Sequence, residues 1–229
     1  DLHIWDTWPL RNRQGEIAVH TGKLCIQHAG HHIGDKFSTQ ANMMINPTIW
    51  GAMAECFTSA RGDLADRLVS ALEAGQSAGG DIRGMQSAAL IIVAGERNDC
   101  PWDEYIVNLR VEDHQDPIAE LRRLLTLHKA YTCMNRGDKC LSEGNVEAAM
   151  AEYSQAAELA PLIPEIPFWK AVTLADMGRV DEALPIFKQV FQSSPRLKLL
   201  VQALPASNML RDDPQLIAQI LAQAPAQEE

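Results

Sequence analysis

Two stretches, Gly144–Pro161 (GNVEAAMAEYSQAAELAP) and Gly178–Pro195 (GRVDEALPIFKQVFQSSP), carry the same residues in the same order thirty-four positions apart. Gly144, Val146, Ala149, Tyr153, Gln155 and Pro161 answer to Gly178, Val180, Ala183, Phe187, Gln189 and Pro195. The glycines sit where one helix stops and the next begins, a place that favours left-handed backbone. Ala149 and Ala183 are small where a neighbouring helix comes close, and the aromatics four residues on lie one turn along the same face. The prolines end each second helix, because proline cannot continue the hydrogen-bond ladder. A degraded third copy follows, with Ile217 and Leu221 thirty-four beyond Ala183 and Phe187.

A period of about 34 with helix-turn-helix patterning is similar to that of tetratricopeptide repeats, with Gly137 seven residues before Gly144 in the first helix. The first helices depart from that pattern, placing Cys133 and Cys140 where Trp and Tyr are usual. Such repeats stack into scaffolds that bind partners, so chemistry is sought upstream. First-helix residues Tyr131, Met134, Asp138, Glu165 and Phe168 are expected to face a groove; we single out Tyr131, Glu165 and Phe168 as partner-binding. The acidic members suit a basic or mixed peptide or protein. Packing of this tail on its own upstream domain is the alternative.

The 229 residues allow one large or two modest domains, and 46% hydrophobic with 22% charged residues is ordinary for a globular chain. No run of eighteen uncharged apolar residues occurs, so no membrane-spanning helix is expected. A formal net charge of -10 repels phosphate backbones, which argues against nucleic acid as a partner. Five cysteines without a C-x-x-C pair fit reduced thiols and a cytoplasmic location.

The upstream half reads as alternating strands and helices. Gly15–Gly22 and Lys36–Ile45 are predicted strands, with Gly30 and Gly34 marking the turn between them. Asn46-Pro47 is a helix start, with Ile49, Met53, Cys56 and Phe57 on one face; Gly62-Asp63 breaks that helix before Leu64, Leu68 and Leu72. SAALIIV (Ser87–Val93) is predicted as a strand buried on both faces. Tyr105–Val111 alternates, placing Tyr105, Val107, Leu109 and Val111 on one face, and Asp116-Pro117 opens another helix. The order predicts a layered α+β body over residues 1–128 with antiparallel pairing, followed by helical repeats over 129–229.

Candidate chemistry lies in three places. The loop GGDIRG presents Asp81 and Arg83 beside glycines whose N–H groups can face a carboxylate or oxyanion; a surface ion pair after a helix C-cap is the alternative. Arg110, Glu112, Asp113 and His114 cluster at the end of a strand, where histidine beside carboxylates can move protons; a buried Arg–Asp pair fixing the turn competes. His20 and Thr21 end one predicted strand and Asn42 lies inside the next, where a polar side chain needs a partner. We take Asp113, His114 and Asn42 as candidate catalytic residues, and Asp81, Arg83, Arg110, His20 and Thr21 as candidate substrate-binding residues. Thr21 is internal and lacks the free amine of an N-terminal nucleophile. Cys25, His28, His31 and His32 do not have a standard zinc spacing, so no metal is expected. No phosphate loop follows the glycines, and no cofactor is expected.

Three blocks, HTGKLCIQHAGH with FSTQANMM, GGDIRGMQSAALIIV and NLRVEDHQDPIAELRRLL, resemble those of a bacterial family, domain of unknown function 1028, from about Gly15 to Leu127. The resemblance implies the αββα sandwich of the N-terminal-nucleophile hydrolases, hence hydrolysis of an amide or similar C–N bond. It is partial, because relatives carry further strands before the HTG block and Asp1 is not such a nucleophile. A companion segment or subunit is expected to supply both. The strand edges left open predict a homo-oligomer. The competing expectation is a non-catalytic interaction or assembly protein acting through its repeats.

Overall fold

A computed structural model of the chain describes residues 7–11, 15–96, 99–100 and 104–225. The chain is mixed α and β and divides into two compact units, Asp1–Leu125 and Thr126–Glu229. Among the described residues no helix is long and apolar enough to cross a membrane.

Among the described residues the first unit is built from three antiparallel strand pairs and the helices between them. β1 (Thr7–Arg11) pairs with β2 (Ile17–Thr21), Thr7 opposite Thr21. β3 (Gly30–Gly34) pairs with β4 (Phe37–Ala41), Gly34 opposite Phe37. The glycines of GHHIG were expected to mark a turn and instead open and close a strand. Gly30 is required there, because a Cβ would press into the ring of Trp50 at 2.5 Å. The strand expected over Lys36–Ile45 ends at Ala41, so Asn42 lies in the bend after it.

Next come α1 (Ile49–Ser59) and α2 (Leu64–Ser77). Asn46 does not cap α1 at its first turn, and Pro47 stands outside the helix. Instead Asn46 Oδ1 accepts from the Thr48 N–H (2.9 Å) and hydroxyl (2.6 Å), holding the entry turn. Asp63 does cap α2, accepting from the Asp66 N–H at 2.9 Å.

β5 (Ala88–Val93) and β6 (Tyr105–Val111) form the third pair, with a register shift at Ile92/Val93. α3 (Pro117–Ser142) follows and continues into the second unit. Leu90, Val107 and Val111 are buried with Ala65 and Val69 of α2 and Leu121 and Leu125 of α3. Arg122 ties these helices together: its Nε and Nη2 donate to the two carboxylate oxygens of Glu73 at 2.8 and 2.9 Å, and Nη2 also reaches Ser70 Oγ. Helices cover only one face of β5–β6. SAALIIV is therefore not buried on both faces: Ile91 is 47% and Val93 56% exposed.

The second unit is helical: the rest of α3, α4 (Val146–Leu159), α5 (Glu165–Asp176), α6 (Val180–Ser193), α7 (Leu197–Ala203), a 3₁₀ turn at Pro205–Ser207 and α8 (Pro214–Leu221). The positions matched at the thirty-four-residue offset do the same work twice. Ala149, Ala183, Tyr153 and Phe187 are buried, and Gly144 and Gly178 adopt φ of 77° and 82° at the helix ends. Tyr153 packs against Gly137 and donates its hydroxyl to Asp138 Oδ1 at 2.6 Å. Burial and that bond push the Tyr153 phenol well above its usual range.

A Cβ added at Gly137 would collide with the Tyr153 ring, which is 1% exposed and held by its hydroxyl. Gly137→Ala is expected to destabilise the helical unit by about 1–3 kcal/mol. Gly51→Ala, in α1 with nothing near its Cβ, is expected to stabilise by about 0.5–1 kcal/mol. Urea unfolding followed by circular dichroism checks both signs.

Candidate functional site

The segment Gly79–Gln86 is held at both ends by backbone hydrogen bonds. The Ile45 N–H donates to Gly80 O (3.1 Å) and the Ile82 N–H to Met43 O (2.9 Å), which makes Met44 and Asp81 a bridge pair. At the far end the His114 N–H donates to Gln86 O at 2.9 Å. Asn46 Nδ2 fixes the start of the segment by donating to Ala78 O at 2.7 Å. Gly79 (φ 131°) carries the chain past Ile45, whose side chain would strike any Cβ there.

These restraints set Asp81 and Arg83 on one side of an open cleft of about 690 Å³. Its other walls are Gln76 of α2, the Met85–Ser87 strand entry, Asp113, and Pro117 with Ile118 at the start of α3. Asp81 Oδ1 accepts from the Arg83 N–H (2.8 Å) and Nε (2.9 Å), and Oδ2 from Nη2 (2.6 Å). The guanidinium holds the Asp81 carboxyl below its ordinary range, against the opposing effect of burial. The Arg83 side chain is 67% exposed and Asp81 23%, so the pair sits at the rim with Asp81 inward.

The expected residues separate into those gathered here and those placed elsewhere. Asp81, Arg83 and Asp113 line the cleft together. His114 does not: its Nδ1 accepts from the Asp116 N–H at 3.0 Å, and Asp116 in turn caps α3 through the Ala119 N–H at 3.1 Å. His114 therefore shapes the turn. Arg110, opposite Ala89, lies exposed in β6, and among the described residues it forms no buried pair with an aspartate. Asn42 follows β4 and is not among the cleft residues. Thr21 Oγ1 lies 2.7 Å from His31 Nδ1, away from the cleft, and His20 is exposed at the end of β2. Among the described residues no three His, Cys, Asp or Glu side chains gather as a metal site.

In the second unit Tyr131 and Glu165 are exposed, but Phe168 is fully buried against Phe187 and Trp169. It is a core residue and cannot line a groove. Gln76, Gln86 and Ser87 are the cleft residues that sequence reasoning missed. Gln86 and Ser87 stand in the quoted block GGDIRGMQSAAL, between the polar loop and the apolar strand, which is the one signal pointing to them.

The family of unknown function DUF1028 matches residues 10–121, a span that holds every wall of this cleft. A crystal structure of a Silicibacter pomeroyi protein described under the same family is similar at 27% identity and a TM-score of 0.45, covering 52% of this chain. The chain spans about half the length of that solved relative, 48% of it. No curated protein matches the chain.

The Asp81–Arg83 pair has a signed consequence. Asp81's folded pKa is lowered, so its stabilising contribution is complete above the unfolded value of about 3.9 and disappears as pH falls through the folded value. Asp81→Asn is expected to be less stable than wild type at pH 7, with the difference shrinking below about pH 4. Carboxyl NMR titration should place the Asp81 midpoint below that unfolded value. A midpoint at or above that value refutes the pair.

Proposed function

We propose that the first unit binds a small amide-bearing or zwitterionic ligand in the Asp81–Arg83–Asp113 cleft, as the binding part of an amide (C–N) hydrolase. The observation that carries this reading is the convergence of one guanidinium, two carboxylates and two carboxamides, Gln76 and Gln86, on a single open cleft. Arg83 keeps N–H donors beyond those bound by Asp81 and suits a carbonyl or carboxylate. Asp113, which has no ion-pair or hydrogen-bond partner among the described residues, suits an ammonium or amide N–H.

The αββα sandwich of the N-terminal-nucleophile hydrolases is the fold this reading requires. The one-sided β5–β6 pair supports it: Ile91 and Ile106 stay exposed on a sheet whose other face is covered, as if a second sheet layer belongs there. Ser87 lines the cleft, but His114 is committed to Asp116 and leaves it no histidine base. Bond cleavage would therefore draw its nucleophile from a companion segment or subunit. The helical unit, read as tetratricopeptide-like repeats, would serve a partner protein.

The test is titration of the full chain with a panel of amino-acid amides and N-acyl amino acids, followed by amide NMR. Shifts are expected at Gly84, Ser87 and Asp113, with Arg83→Gln and Asp113→Asn each weakening binding about tenfold or more through the lost charge-assisted bond. A panel that moves none of these amides sinks the reading.

A further inference from the structure

We propose that Tyr131, Glu165 and Trp169 form a receptor for one cationic side chain, lysine or arginine, presented by a basic segment of a partner protein. Tyr131 stands on α3, thirty-four residues before Glu165 in the first turn of α5, with Trp169 one turn further along. The Tyr131 hydroxyl donates to Glu165 Oε2 at 3.1 Å, and the Trp169 indole N–H reaches Oε1 at 3.4 Å. Each carboxylate oxygen is thus met by a neutral donor from an aromatic ring. The carboxylate is held in place while its charge stays uncompensated.

Three basic residues nearby in sequence are engaged elsewhere. Arg136 pairs with Glu152 at 3.0 Å, Lys170 donates to Ser154 Oγ at 3.0 Å, and Arg179 binds Glu182. Among the described residues Glu165 has no cation within ion-pair distance. Tyr131 nevertheless remains 39% exposed, and Glu165 is exposed beside it.

A carboxylate offers about four lone-pair sites, of which two are used here, so an ammonium or guanidinium can still be accepted. A cation that also lies over the face of Tyr131 or Trp169 gains the attraction of that ring. A neutral or anionic ligand gains neither term. The exposed first-helix carboxylates Asp138 and Asp176 and the chain's formal charge of -10 favour an approaching basic segment further. Arginine matches the planar rings better than lysine, by stacking and by its wider fork of donors.

Calorimetric titration of the full chain at low salt, with pentaarginine, pentalysine, acetylated pentalysine and pentaglutamate peptides, tests the site. Saturable binding of the two basic peptides only, arginine tighter, is expected. Glu165→Gln and Trp169→Ala should each weaken it about tenfold. Glu158→Gln removes the same charge from an exposed position of the same unit and should change affinity less than twofold. Circular dichroism of each variant establishes that the helices persist, and Glu165→Gln, at an exposed position, is the decisive one if Trp169→Ala loses helix. Equal loss in Glu158→Gln would reduce the effect to general surface charge and overturn the proposal. Equal binding of the acetylated peptide, or no saturable binding, would overturn it as well.

Discussion

The first unit depends on a backbone clasp. Three hydrogen bonds, from Ile45 to Gly80, from Ile82 to Met43 and from His114 to Gln86, hold an irregular segment at both ends. An irregular loop exposes backbone groups that helices and ladders would otherwise satisfy, and it wanders unless they are paired. Here the pairing is made with two different parts of the chain, the exit of β4 and the turn before α3. The segment therefore brings Asp81 and Arg83 to Asp113, which lies thirty-two and thirty positions further along the chain. Glycine is indispensable to the clasp at Gly79, where positive φ and contact with Ile45 coincide.

A second constraint acts on the sheet pairs. A two-stranded ladder alone is marginal in water and needs a packed face. α2 and α3 supply one such face to β5–β6, and Arg122 binds the two helices across their seam. The opposite face keeps Ile91 and Ile106 in water, an arrangement that costs hydrophobic free energy as long as it lasts. The packing around β5–β6 thus has a direction: its buried apolar contacts lie on the helical side.

Different physical signals were legible to different degrees. The helical unit was readable because its determinants are local and repeated. Gly144 and Gly178 need left-handed backbone, and Ala149 and Ala183 need close approach, so the same residues recur at one offset. Which face of a helix is wet is less local. Phe168 falls one residue before Trp169, and its burial is decided by contacts from other helices, among them the ring of Phe187 on α6. GHHIG misled for a similar reason: its glycines serve the approach of Trp50, a long-range contact, rather than a turn. SAALIIV looked doubly buried because composition records apolarity, while burial depends on how many layers surround the strand. The pairing of Asp81 with Arg83 was visible as an alternative, but their meeting with Asp113, Gln86 and Ser87 arises from the clasp, which leaves no pattern in side-chain chemistry.

The Asp81–Arg83 contact does not use up the guanidinium. A guanidinium has five N–H donors, and Asp81 engages Nε and Nη2 on one edge of the fork. The opposite edge stays available, and at 67% exposure the side chain has not bound its remaining donors inside the protein. Asp81 thereby works as an orienting group: it restricts Arg83 to one rotamer family before any ligand arrives, lowering the entropy lost on binding. Asp113 lines the same cleft from a different element, so the proposed ligand, if it bridges the two, would carry both an acceptor and a donor. Under the proposed function that pairing would disfavour simple anions, which Asp81 and Asp113 repel, and favour molecules whose two ends differ in charge or hydrogen-bonding sense.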